Sequence, residues 1–229
     1  LPGTVVRRLQ VRGLRGGHSG VDIHESRGNA VKFLIRILNA VRRAGIEFAI
    51  AELSGGSKHN AIPREADAVL RVRNVDEPKV RSIVEEVAAI LKEEYGEIDP
   101  GQRVELLAVE EAPENRSVWC NFDTDRVLDA LLACPHGVLA MSRAVPGLVE
   151  TSNNLAVIIT DGTASRVQTS SRSSVGPSLK ATTEQVAAVF RLAGAEVEEH
   201  DGYPGWKPNP ASPVLQTALE VYRRVLGVE

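Results

Sequence analysis

Hydrophobic and polar positions alternate from Thr4 to Leu14, with Val5, Arg7, Leu9 and Val11 on one face and Val6, Arg8, Gln10 and Arg12 on the other. That period predicts a strand. From Asn29 to Ala44 the period changes: Val31, Leu34, Ile35, Leu38 and Val41 recur at helical spacing, Lys32, Arg36, Asn39 and Arg43 face outward, and Gly45 supplies a stop. Ile46, Phe48 and Ile50 then alternate with Glu47, Ala49 and Ala51 as a half-buried strand. After a loop from Ser54 to Glu65, Ala66, Ala68, Leu70 and Val72 alternate with Asp67, Arg71 and Arg73. Asp76 as a cap and Pro78 in the first turn open a helix with the stripe Val80, Ile83, Val84, Val87, Ile90 and Leu91, ended by Gly96. Arg103 to Val109 reads as one more strand. The order βαββαβ predicts a ferredoxin-like α+β sandwich, with helices on one face of a mainly antiparallel sheet.

Pro113 to Asn121 is irregular and polar. Beyond it the pattern predicts a helix over Asp125–Ala133, a strand near Val138–Ala144, and a hairpin of Asn154–Thr160 and Ser165–Ser171 around Asp161-Gly162. A helix follows to about Ala193 with Gly194 beyond it, then a short strand at Ala195–Glu199. This half reads αββαβ, either a degenerate copy of the first or an extension of the same sheet, and the pattern leaves both open. His200 to Pro208 is dense in breakers and reads as a linker, after which Ser212 and Pro213 start a helix that runs to Leu226 and stops at Gly227. That helix has little left of this chain to pack on.

The chain has 229 residues, 43% hydrophobic and 25% charged, with a net charge of −3. Acids and bases are interspersed, so no basic face for nucleic acid stands out. No apolar run approaches a membrane helix, and the start lacks signal-peptide organisation. Cys120 and Cys134 have no CxxC spacing and read as reduced thiols of a cytoplasmic protein. An opening on Leu1-Pro2, almost directly into a strand, reads as a piece of something longer.

The chemistry-bearing residues sit in loops. Gly13-Leu14-Arg15-Gly16-Gly17-His18-Ser19-Gly20-Val21-Asp22-Ile23-His24 joins a strand to a helix and presents a histidine among glycines. His18 there is either functional or a solvent-facing turn residue. The spacing of His18, Asp22 and His24 matches neither a helix-face pair nor a CxxC-type metal site. Asn60, on a Gly-rich loop, can hydrogen-bond a ligand carboxylate or tie its own turn. Thr151, Ser152 and Asn154 are small polar groups at a strand start, either pocket lining or loop caps. Arg172 lies among serines, where a guanidinium can grip a carboxylate bidentately or simply be solvated. There is no GxSxG, Walker loop, HExxH or dinucleotide fingerprint.

Five stretches in order, GLRGGHSGVDIH, NAIPRE (Asn60–Glu65), GLVETSNN (Gly147–Asn154), RSS (Arg172–Ser174) and DGYPGW (Asp201–Trp206), resemble the aminoacyl-histidine dipeptidases. These are also called β-alanyl-histidine or Xaa-His dipeptidases, a branch of the zinc-dependent aminoacylase/carboxypeptidase-type metallopeptidases. GGHSG by itself is shared with the wider superfamily. The resemblance runs over essentially the whole chain and implies a lid and dimerisation domain inserted into a catalytic domain that binds two zinc ions. It implies that the metal ligands lie outside residues 1–229, so that this piece binds no zinc and is inactive alone. It implies a homodimer in which His18 reaches the other subunit's active site, polarises the scissile carbonyl and stabilises the oxyanion. Asn60 and Arg172 would hold the dipeptide's C-terminal side, and Thr151, Ser152 and Asn154 would line the pocket.

On this reading residues 1–203 form the lid and dimerisation domain, in halves 1–112 and 122–203, and 204–229 begin the return into the catalytic domain. Partners are then a dipeptide, a second copy and the catalytic domain of the same polypeptide, with no nucleic acid and no membrane. Two rivals remain: a stand-alone ferredoxin-like binding or regulatory module, and the lid of a sister aminoacylase or carboxypeptidase.

Overall fold

The computed structural model describes residues 3–109, 121–161, 164–200, 202–203, 205–206 and 208–227. Its elements in chain order are β1 (Thr4–Arg12), β2 (Gly17–His18), a 3-10 turn (Ile23–Glu25), α1 (Ala30–Arg43), β3 (Phe48–Gly55), β4 (Ala61–Ile62), β5 (Ala66–Arg73), α2 (Glu77–Tyr95) and β6 (Arg103–Ala108). There follow α3 (Asn121–Ala133), β7 (Gly137–Met141), β8 (Val149–Asp161), β9 (Ala164–Ser173), α4 (Gly176–Leu192) and α5 (Pro213–Leu226).

β6, β1, β5 and β3 lie side by side, all antiparallel, which is the ferredoxin-like arrangement the βαββαβ pattern predicts. The sheet does not stop there. β3 pairs through Ser54 and Gly55 with Ile159 and Ile158 of β8, so the second half extends the first sheet. β9 runs along the other edge of β8, while β7 pairs with residues 149–153 on the edge that β3 also uses. A bulge between Ile50 and Glu52 resets the β3 alternation, keeping Leu53 in the core and Glu52 out.

α1 is the central helix of the covering layer. The stripe predicts five inward residues, yet Ala30, Phe33 and Ile37 are buried as well. The extra burial arises because α2 packs on one side of α1 and α3 on the other. Charge pairs stitch these flanks: Arg36 holds Glu94 of α2 through two bonds of 2.5 and 2.8 Å, and Arg42 reaches Asp125 and Asp129 of α3. Lys32, expected to face outward, instead donates to the α3-terminal carbonyls of Leu131, Leu132 and Cys134, where the helix dipole favours a cation.

Asn29 caps α1, its side chain accepting from the Val31 and Lys32 amides at 3.0 and 3.2 Å. Asp76 and Ser212 occupy the N-cap positions of α2 and α5, but neither side chain makes a capping bond; Asp76 instead pairs with Arg73. The strand expected at Ala195–Glu199 does not form, since those residues have no regular structure. Most of the polar stretch Pro113–Asn121, together with Gly162 of the hairpin turn, lies outside the described residues. α5 carries no buried residue, and Val214, Val221, Tyr222, Val225 and Leu226 line an open apolar groove of about 770 Å³.

Candidate functional site

The loop between β1 and α1 is tied down at both ends by one buried side chain. Asp99, in the turn before β6, accepts the Arg15 amide on Oδ1 at 2.6 Å and the Gly28 amide on Oδ2 at 2.7 Å. A β-carbon at Gly13 would stand 2.0 Å from the Gly101 carbonyl oxygen, so the close approach of these two turns demands glycine there. Inside the loop, Asp22 Oδ2 accepts the His18 amide at 2.7 Å, and the Asp22 amide donates back to the His18 carbonyl at 2.8 Å. Arg27 Nη2 then donates to Asp22 Oδ1 at 3.2 Å, and Nη1 to the Gly16 carbonyl at 2.6 Å.

This clamp leaves the His18 ring exposed but not free to turn. Nδ1 accepts the Gly20 amide at 3.2 Å and shares the Val21 amide, also at 3.2 Å, with the His18 carbonyl. A ring nitrogen that accepts two N–H bonds carries no proton, so the neutral ring holds its N–H on Nε2.

The second loop lies against the first. Gly17 and His18 pair with Ile62 and Ala61 across β2 and β4, and the Ser19 amide donates to the Asn60 carbonyl at 2.9 Å. Beneath them is β8, buried on both faces from Thr151 to Ile158. Asn154 Nδ2 donates to the carbonyls of Ala61 at 2.8 Å and His59 at 3.3 Å, which holds the turn that presents Asn60. Thr151 shares a 2.9 Å hydroxyl contact with Ser173, and Ser152 is the register partner of Arg172 on β9. Arg172 Nη1 donates to the Tyr203 hydroxyl at 2.6 Å, and the chain after Tyr203 lies so close that a β-carbon on Gly205 would stand 2.5 Å from the Ser173 carbonyl oxygen.

Gly20 places His18 and Arg172 around one point. A β-carbon on Gly20 would lie 3.2 Å from His18 Cε1 and 3.3 Å from the Arg172 guanidinium carbon. Three side-chain atoms around this place, Ser19 Oγ, Asn154 Oδ1 and Arg172 Nε, are buried without a hydrogen-bond partner among the described residues. Buried polar atoms are normally paired, so this is unused bonding capacity at the meeting point of all five motifs.

Residues 9–99 match the peptidase dimerisation domain family. Over 98% of its length the chain superposes on the aminoacylhistidine dipeptidase of Vibrio alginolyticus, with a TM-score of 0.90 and 35% identity, covering 45% of that chain. The chain carries a peptidase dimerisation domain. It is also 32% identical over 220 residues to the cytosol non-specific dipeptidase of Escherichia coli (strain K12), which is 96% of this chain and 44% of that protein. The chain thus spans less than half the length of both relatives.

The dimerisation domain offers no metal cage among its described residues, where no three His, Cys, Asp or Glu side chains come together. Its nearest sequence candidates are engaged otherwise, Asp22 by Arg27 and the His18 amide, and His18 Nδ1 by two amides. No helix among the described residues is long and apolar enough to cross a membrane.

Sequence reasoning missed four supports of the dimerisation domain's site. Asp99 had only a turn signal, Asp-Pro-Gly, and nothing local reveals which amides it holds. Arg27 looked like any charged residue before a helix. Asn153 bonds the Pro135 carbonyl at 2.7 Å and accepts from Ser171 at 2.8 Å, fixing the turn before β7 to the β8–β9 pair. His136, in that turn, accepts from Asn29 Nδ2 at 3.3 Å and from the Leu155 amide at 3.4 Å. Burial, aided by the Lys32 charge, lowers the His136 pKa to about 4. Burial also pushes the neighbouring Cys134 thiol up to about 11.

Proposed function

We propose that this chain is the lid and dimerisation domain of a zinc-dependent dipeptidase that hydrolyses Xaa-His dipeptides such as β-alanyl-histidine, and that it works as a homodimer in the cytosol. The observation that supports the reading is that His18 and Arg172 both border Gly20, the ring accepting amides on Nδ1 and the guanidinium anchored through Nη1 by the Tyr203 hydroxyl. A dipeptide needs both: a donor for the carbonyl oxygen that gains negative charge, and a cation for its terminal carboxylate.

In this reading His18 donates Nε2–H to the oxyanion of the substrate held by the other subunit. Arg172 and Asn60 grip the carboxylate side. Thr151, Ser152 and Asn154 shape the pocket from beneath, Asn154 through the Asn60 turn. Among the described residues no His, Cys, Asp or Glu cluster suits a metal, and the reading assigns the zinc ions to the catalytic domain of the same polypeptide. Residues 1–203 are then the lid, with halves 1–112 and 122–203, and residues 204–229, including the uncovered groove of α5, belong with that catalytic domain. The piece alone is expected to be inactive.

The test is hydrolysis of β-alanyl-histidine by the longer polypeptide that contains this chain, with and without His18→Ala, beside the 229-residue chain itself. A loss on the order of 100- to 1,000-fold in the variant is expected, the typical cost of one oxyanion donor. Near-full rate in the variant, or turnover by the isolated chain, would reject the reading. Preference for N-acetyl amino acids over β-alanyl-histidine would favour the sister aminoacylases.

A further inference from the structure

We infer that Asp22 and Arg27 are positioning residues for His18, which set the ring tautomer and so decide which nitrogen faces the ligand. The inference rests on the reading of His18 as a ligand-facing donor and adds how the fold makes it one.

Four observations converge. The backbone of the His18–Asp22 turn closes on itself, with the His18 amide bonded to the Asp22 carboxylate and the Asp22 amide bonded to the His18 carbonyl. The turn aims the Gly20 amide at Nδ1 and the Val21 amide between Nδ1 and the His18 carbonyl. Arg27 fixes the second Asp22 oxygen and the Gly16 carbonyl at once, and its own side chain is only 13% exposed, so the clamp is partly shielded from solvent. Finally, a β-carbon at Gly17, whose φ is +146°, would lie 2.4 Å from Arg27 Nη1 and 2.6 Å from Asp22 Oδ2, so the glycine leaves room for the pair.

The physical consequence is specific. A neutral imidazole in water exchanges its proton between two nitrogens, and only one tautomer offers Nε2–H. Two amides pointed at Nδ1 make the other tautomer place an N–H against N–H groups, which is repulsive. Asp22 does not touch the ring; it acts through the turn that aims those amides. Once the turn loosens, the amides swing away and Nδ1 is released to take a proton or a water. The oxyanion donor of the proposed reaction is then present for only part of the time and in more than one orientation.

The experiment is two-bond proton–nitrogen correlation of the His18 ring in the 229-residue chain, at a pH where the imidazole is neutral. In the unaltered chain Nδ1 should appear as a pyridine-like nitrogen and Nε2 as a pyrrole-like one, with no averaging. In Asp22→Ala and Arg27→Ala the two signals should move toward each other as the tautomers mix. Unshifted α1 amide resonances would show that the variant remains folded. Should Asp22→Ala fail to fold, Arg27→Ala decides. An averaged or Nδ1-protonated ring in the unaltered chain overturns the inference, as does an unaltered ring pattern in a folded Arg27→Ala variant. The functional reading fails separately: it falls if His18→Ala leaves hydrolysis by the longer polypeptide intact, whatever the ring spectrum shows.

Discussion

Gly20 borders both His18 and Arg172, since a β-carbon there would come within 3.2 Å of the imidazole and 3.3 Å of the guanidinium. The two side chains come from strands that are far apart in sequence and not neighbours in the sheet, His18 on the β2–β4 ladder and Arg172 on β9. The glycine is thus a spacer. Gly20→Val should push ring and guanidinium apart. Because misplacing a catalytic group by about 1 Å can cost on the order of 100-fold, hydrolysis of β-alanyl-histidine by the longer polypeptide should fall by that order. The urea midpoint should stay nearly unchanged, and an unchanged rate would remove Gly20 from the site.

Asp99→Ala should destabilise the chain by roughly 1–3 kcal/mol, because it strips the buried Gly28 amide and the partly buried Arg15 amide of their acceptor. Urea denaturation measures the loss. Amide hydrogen exchange should locate it, with protection falling first at Arg15 and Gly28. A cost below about 0.5 kcal/mol would mean the loop is held by other contacts.

The buried neutral His136 predicts acid sensitivity. Its folded pKa, about 4, lies below the ordinary 6.5, so the unfolded chain binds the proton more tightly. The stability it contributes is full above the unfolded value and drains as pH falls toward the folded one. The loss over that interval should be on the order of 2–3 kcal/mol. His136→Gln, which keeps an acceptor without a titrating ring, should flatten the slope of urea midpoint against pH between about pH 6.5 and 4.5. An equal slope in the variant would assign the acid loss to other groups.

Cys134 should be inert. With its thiol raised to about 11 by burial, thiolate is scarce at pH 8, and alkylation of the Cys134 peptide should run at least about 100-fold slower than that of a small free thiol. Peptide mapping by mass spectrometry distinguishes it from Cys120. Rapid labelling under native conditions would show that the turn before β7 opens readily.

Much of the domain was legible in the chain itself. Helix α1 could be read because the stripe from Val31 to Val41, the Asn29 cap and the Gly45 stop are all local. The four-strand sheet could be read because each strand buries one face, so alternation survives in the sequence. β8 was harder: it is buried on both faces, alternation vanishes there, and the pattern predicted only Asn154–Thr160 of a strand that begins at Val149. The five motifs pointed to one family before any contact was known. What they could not show is that Lys32 turns inward to the end of α3, or that Asp99 reaches back across the chain to close the His18 loop.

The sequence by itself determined the long helices and most of the sheet strands, the ferredoxin-like order of the first half and the family, because periodicity, caps and motifs depend on near neighbours. Only the tertiary structure decided that the second half extends the first sheet and that His18 and Arg172 both border Gly20. These depend on strand register and on single hydrogen bonds between residues tens of positions apart, and a shift of one residue in either would undo them.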